Sequence, residues 1–393
     1  MSAEQNVLTS GALRYGDKLY FPPIGFKSKH QQHPDFEVLR KEVDEADRPY
    51  VTAFYGSEEA AEAHRRQLIP VFGCLICPHA SKERSYWFLR QMELIAIMDD
   101  HFTLPDVINN PQQLSVLEKV YGNAVDGIRP SDEYPIAQLL HDSVQPIFAM
   151  LSPASSVGCR LAAAVHEVIH YLSHPVVYQM ATLSFDDYLR IRRCETTAEW
   201  SAVLIEFGIN VDMEQPLAES ADLREVWRAA NDLIVFINDI GSFRKEFSSD
   251  EALNGVWMLV MHNKDMSVQQ ALNRLVELAR ETEDKLIAAR DRVLASPLGQ
   301  RDDVRRYLDE LVCFYAGTAE FHTFSERFLG YDSKQPFHSG EVTIERLLFP
   351  QDIAGFSTYA QSMREMSPHR EDAAQTNKIS GDNDDPHQTR SLP

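Results

Sequence analysis

The sequence predicts an all-α protein, a single large α-helical bundle, and three observations carry that expectation. Apolar residues recur at helical spacing over several long segments, strand-like alternation is weak everywhere, and prolines fall between the periodic runs. Glycine agrees: 17 in 393 residues lies below the roughly 7% average and disfavours glycine-punctuated β architectures. Residues 1–19 read as a flexible N-terminus; they carry Glu4 and lack the apolar stretch of a signal peptide. From 20 to 345 no low-complexity linker and no repeat of fixed period occurs, so this stretch reads as one domain. Residues 85–102 (SYWFLRQMELIAIMDDHF) are apolar on most faces and too long for a strand, which predicts a buried helix. Segments 161–172 and 226–247 repeat at helical spacing. In 268–293, Leu272, Leu275 and Leu278 alternate with Glu277, Arg280 and Glu281, as on an amphipathic surface helix. Pro70, Pro78, Pro105, Pro130, Pro153, Pro175, Pro216 and Pro297 separate such segments, since proline costs about 3 kcal/mol inside a helix. Residues 346–364 form a C-terminal extension. Residues 365–393 hold too few bulky apolar groups to offset their ordering entropy and read as a disordered tail.

Composition narrows the function. A net charge of −21 speaks against a nucleic-acid partner, which would need a basic footprint. Apolar runs such as 94–98 fall far short of the ~20 residues of a membrane span, so no stable membrane insertion is expected. Five scattered cysteines make no disulfide framework and suit a reducing, cytoplasmic setting. Cys74 and Cys77 have C-x-x-C spacing, but no second pair completes a zinc site and no βαβ pattern supports a redox motif.

Two acid-bearing segments interrupt helices too apolar for a surface. In the first, Asp99-Asp100-His101-Phe102-Thr103, helical geometry aligns Asp99 with Ile95, Met92 and Phe88. An acid on that stripe borders a buried space, and a metal ion is a common remedy for a buried carboxylate. In the second, Asn238, Ser242 and Glu246 stand at i, i+4 and i+8 and form one polar stripe behind the apolar run Ile234–Ile237. An amide oxygen, a hydroxyl and a carboxylate are hard donors with one formal charge, a set suited to Mg²⁺ that keeps waters or phosphate oxygens.

In order and spacing these segments resemble the signature of the class I terpene synthases: an aspartate-rich D-D-x-x-D motif or variant, then N-D-x-x-S-x-x-x-E more than a hundred residues later. Lys245 fits the extended form of the second motif. The segment 188–196 (YLRIRRCET) resembles the family's diphosphate-sensing stretch, with Arg192 standing 46 residues before Asn238. Residues 317–328 (GTAEFHTFSERF) resemble the block that ends in an Arg-Tyr pair. The resemblance implies a class I terpenoid synthase fold with a central apolar active-site cavity. It further implies Mg²⁺, three ions with Mn²⁺ able to substitute, on Asp99, Asn238, Ser242 and Glu246. Arg192, Lys245 and Arg327 would act on the diphosphate, and Asp100, Glu195, Thr196, Phe88 and Phe321 would contact substrate.

The implied activity is ionisation of farnesyl diphosphate to a sesquiterpene. A geranylgeranyl diphosphate cyclase, a chain-elongating prenyltransferase and a non-catalytic helical binding protein stand as alternatives. Helical domains of this kind often pair as homodimers. Two departures from the pattern stand out: Thr103 replaces the last acid of the first motif, and Phe328 replaces the usual tyrosine. Lids are expected at 103–113 and 247–254.

Overall fold

Capping side chains set the helix boundaries. The computed structural model describes residues 13–175, 180–249, 251–331 and 340–353. In chain order it contains α1 (Phe36–Tyr55), α2 (Glu58–Arg65), α3 (Ile69–Ile76), α4 (Lys82–Phe102), α5 (Pro105–Ile108), α6 (Pro111–Val125), α7 (Pro135–Met150) and α8 (Val157–Ser173). There follow α9 (Phe185–Glu195), α10 (Ala198–Gly208), α11 (Glu214–Glu219), α12 (Ala221–Ser248), α13 (Gly255–His262), α14 (Val268–Ala295), α15 (Asp302–Phe321) and α16 (Glu326–Leu329). Ser81, Ser220 and Ser267 accept backbone N–H bonds at the starts of α4, α12 and α14, and Ser267 with Gln270 completes a capping box. The expected all-α class holds. Pro70, Pro105 and Pro135 stand in first helical turns, where the missing N–H is harmless.

One small sheet was not anticipated. Strand β1 (Lys18–Phe21) pairs antiparallel with β2 (Gly340–Thr343), with Leu19 opposite Val342. Leu13, Leu19 and Phe21 are buried, so residues 13–19, placed above with the flexible N-terminus, pack onto the body. Apolar contact and the partner strand supply what this stretch lacks in local periodicity. The tail 365–393 lies outside the described residues.

The long helix α12 packs along α14 and also against α9, α10, α15 and α16. Helix α4 is clasped by α1, α3 and α7. Both carry buried residues on nearly every side. Gly317 on α15 meets the Leu75 backbone so closely that an added Cβ would lie 2.4 Å from its carbonyl oxygen. That approach draws α3 and α15 together as one wall of the interior.

Away from that interior, Asp142 on α7 ties three elements. It accepts from Tyr50 Oη at 2.7 Å, His141 Nδ1 at 2.8 Å, and Arg129 Nε and Nη2 at 3.1 and 2.7 Å. Burial alone would raise its pKa, but these donors outweigh it and hold the carboxyl at about 2, below its ordinary 3.8. A depressed folded pKa contributes stability above the unfolded value and loses it as pH falls toward the folded one. The wild type is therefore expected to exceed Asp142→Asn by roughly 1–2 kcal/mol near neutral pH. In urea titrations that margin should vanish between about pH 4 and pH 2; a margin independent of pH would rule the linkage out.

Candidate active site

Asp99 and the Asn238–Ser242–Glu246 stripe line one cavity. Its walls also hold Ile69, Phe72, Met92, Ile95, Val168, Leu172, Trp200, Phe321 and Phe328, and its volume is 130 Å³. The helix periodicity explains the convergence. On α4, Met92, Ile95 and Asp99 share the inward face, and on α12 Ile234, Asn238, Ser242 and Glu246 do.

The polar stripe is internally bonded. Ser242 Oγ donates to Glu246 Oε1 at 2.7 Å and lies 3.3 Å from Asn238 Oδ1. Arg192, at the last turn of α9, reaches into this set: its Nη2 donates to Asn238 Oδ1 at 3.0 Å and to Glu246 Oε1 at 3.1 Å. One guanidinium nitrogen thus stands between two of the three hard donors, a cation stand-in at the place where a metal would bind. The donor set fits a divalent ion of the Mg²⁺ type.

Opposite, Arg327 Nη2 pairs with Asp99 Oδ2 at 2.7 Å and Lys245 Nζ with the same oxygen at 3.2 Å. Burial acts to raise the Asp99 pKa, but Lys245 and Arg327 prevail and hold it below its ordinary value. Asp99 therefore remains an ionised donor. Asp100 does not face the cavity: it stands behind Arg327, bonded to Nη1 at 3.1 Å, and accepts from Tyr55 Oη at 3.0 Å. Its place is that of a positioning residue rather than a substrate contact. Thr103, in place of an acid, donates Oγ1 to the Asp99 carbonyl at 2.7 Å and closes the end of α4.

Glu195 and Thr196 line the cavity where α9 breaks from α10. Thr197, between the helices, has φ 54°, a left-handed conformation costing a β-branched residue of order 1–3 kcal/mol. Burial pushes Glu195 up to about 7, against the pull of Arg192. Phe321 lines the cavity and stacks on Phe72 with ring centroids 4.9 Å apart. Phe88 does not: it is fully buried near Gly208 of α10, deeper along the same stripe. Helical phase alone could not tell the rim of the stripe from its root.

Sequence reasoning missed four participants. Asp239, wholly buried, accepts from Arg192 Nε at 2.9 Å and Nη2 at 2.5 Å, from Tyr188 Oη, and from Gly255 N at 3.1 Å. Asn254 Nδ2 donates to Glu246 Oε2 at 2.7 Å and to the Asp239 carbonyl at 2.8 Å. Glu251 joins the lining, its carboxyl pushed up to about 8 by burial, with Glu246 reinforcing the shift against Lys245. His322 lines the cavity too; its ring stacks on Phe328 at 3.8 Å, and Nδ1 lies 2.8 Å from the Thr318 carbonyl oxygen. A Cβ at Gly241 would come within 2.3 Å of that ring, so the glycine was the available signal. His101, bonded to Tyr121 at 2.9 Å and pushed down to about 4 by burial, is structural.

Comparison with known proteins agrees with this geometry. A family profile described as "Terpene synthase family 2, C-terminal metal binding" matches residues 91–285. The (3S,6E)-nerolidol synthase of Selaginella moellendorffii is 23% identical over 327 residues, 79% of this chain and 83% of that protein. Sesquiterpene synthase 1 of Postia placenta is 26% identical over 145 residues, 37% of this chain and 43% of its own length. Among solved structures, germacradien-4-ol synthase from Streptomyces citricolor superposes with a TM-score of 0.63 at 18% identity, covering 77% of this chain and 98% of that one.

Proposed function

Because the chain belongs to the terpene synthase family, we propose that it is a Mg²⁺-dependent cyclase, a carbon–oxygen lyase acting on phosphates. It would ionise farnesyl diphosphate and close the cation to a sesquiterpene hydrocarbon or alcohol, acting in the cytoplasm. The observation that supports this best is the placing of Asp99 and the Asn238–Ser242–Glu246 stripe in one apolar-walled cavity. Asp99 on one side and Asn238, Ser242 and Glu246 on the other would hold the metal, three Mg²⁺ ions or Mn²⁺ in their place. Bound there, the metal supplies Lewis-acid neutralisation of the leaving diphosphate.

The chain's own residues do the rest. Arg192, Lys245 and Arg327 now pair with the acids. They are placed to transfer those bonds to diphosphate oxygens, the arginines in the bidentate manner that suits phosphate. Glu195 and Glu251, lifted toward neutrality by burial, add less negative charge against the substrate than two ionised carboxylates would. Phe72, Trp200, Phe321 and Phe328 exclude water from the cation and offer π faces worth about 0.5–2 kcal/mol each. An intact stripe argues against a non-catalytic binding protein.

Parallel incubations with farnesyl and geranylgeranyl diphosphate plus Mg²⁺, with the extracts analysed by gas chromatography, test the reading. A C15 hydrocarbon or alcohol from farnesyl diphosphate is expected. A longer prenyl diphosphate, or no release of pyrophosphate from either substrate, would overturn it.

A further inference from the structure

Outside the lining of the cavity, two segments distant in sequence bring sulfur, nitrogen and oxygen donors together. Cys77 closes the end of α3, and His79 follows it in the loop to α4. Glu310 and Cys313 lie one turn apart on α15. One donor atom each from His79, Glu310 and Cys313 fall within 4.8 Å of one another. The Cys77 thiol lies beside Glu310 as well, whose charge helps burial to raise its pKa. Cys77, Glu310 and Cys313 are buried, while the His79 side chain is 49% exposed and leaves a way in.

The surroundings hold these groups in place. His79 Nδ1 and Glu310 Oε2 are 2.6 Å apart, and the His79 backbone N–H donates to Glu310 Oε1 at 3.1 Å, which fixes the carboxylate. Gln31 Nε2 points a donor at Cys313 Sγ from 3.7 Å. Gly208 on α10 makes room for the other sulfur: a Cβ there would sit 2.7 Å from Cys77 Sγ.

We propose that Cys77, His79, Glu310 and Cys313 form a structural site for a borderline divalent cation, Zn²⁺ by its chemistry. Two thiolates, an imidazole and a carboxylate are a zinc set, and thiolate ligands disfavour Mg²⁺. Zinc bonds of about 2.0–2.3 Å need donors about 3.5 Å apart, so donors now within 4.8 Å of one another must adjust, with His79 Nδ1 and Glu310 Oε2, at 2.6 Å, moving apart. Without metal, burial pushes the Cys313 thiol up to about 12 and raises the Cys77 thiol as well. Binding therefore expels both thiol protons to solvent, and His79 ligates as the neutral imidazole. The Gln31 amide and the His79 backbone N–H are the outer partners such a site requires. A second cluster, Glu118 with His170 and His174, lacks sulfur and lies at the surface, so it gives a spectroscopically different cobalt site.

The ion would clip the loop that follows α3 to α15; α3 itself bears Phe72 and α15 bears Phe321. The inference is independent of the proposed activity and is tested without substrate. Full-length protein stripped with a chelator is titrated with Co²⁺ and then with Zn²⁺. One equivalent of Co²⁺ should give thiolate-to-cobalt charge-transfer absorption that one equivalent of Zn²⁺ abolishes. The band should disappear in Cys77→Ser/Cys313→Ser, weaken in His79→Ala, and persist in Asp99→Ala/Glu246→Ala. His79 is half-exposed, so its variant decides the matter if the cysteine variants misfold. No thiolate band in the wild type, or a band unchanged in His79→Ala, would overturn the proposal.

Discussion

Replacing Glu246 by alanine is expected to lower pyrophosphate release from farnesyl diphosphate by about a thousandfold while the fold persists. The size follows from what the carboxylate does. It is the charged member of the α12 stripe and is oriented from three directions, by Ser242, Arg192 and Asn254. Losing one preorganised electrostatic partner of a developing charge costs about 10²–10³ in rate, and losing a metal ligand should reach the upper end. Asn238→Ala should behave similarly. Stability should change little, because the deletion relieves crowding with Glu195, Asp239 and Glu251, each raised in pKa and each sensing the Glu246 charge. Release within about tenfold of wild type, 1.4 kcal/mol on the barrier, would exclude Glu246 from the metal site.

Asp239→Ala is expected to destabilise the protein by about 3–5 kcal/mol, the usual cost of leaving a buried charge without its partner. Arg192 is only 2% exposed, and its Nε and Nη2 both bond the Asp239 carboxylate. The same carboxylate fixes Tyr188 and the N–H of Gly255 at the start of α13. Urea denaturation should show the loss, and Asp239→Asn, which keeps an acceptor oxygen, should show less of it. A change below about 1 kcal/mol would mean that Arg192 takes its support from Glu195 and Glu246 instead.

Much of this was legible in the sequence because it repeats with the helix. Asn238, Ser242 and Glu246 announce a polar line in a greasy helix, and Asp99 closes another. Arg192, Lys245 and Arg327 were placed by motif spacing, and all three line the cavity. Asp239 was not legible as a hub. It sits on the flank of the stripe, and its partners Tyr188, Arg192 and Gly255 come from two other helices. Asn254 and Glu251 were seen only as parts of a polar loop, since nothing local shows that a loop folds back onto a helix. Phe88 and Asp100 failed for the opposite reason: helical phase gives direction but not depth. The β1–β2 pair was invisible because its strands are four residues each and lie over three hundred residues apart.

The interlocking of Arg192 with Glu246, and of Arg327 and Lys245 with Asp99, means that every positive group needed by an incoming anion is already spoken for by a negative one. On the proposed function, a metal ion arriving alone would displace Arg192 from Glu246, and an anion arriving alone would strip a carboxylate of its counter-ion. Together they exchange partners, and no charge is stranded. By thermodynamic reciprocity each then sharpens the affinity for the other by the same factor. If the proposed function holds, the two solutes should bind as a coupled pair, each more tightly in the presence of the other.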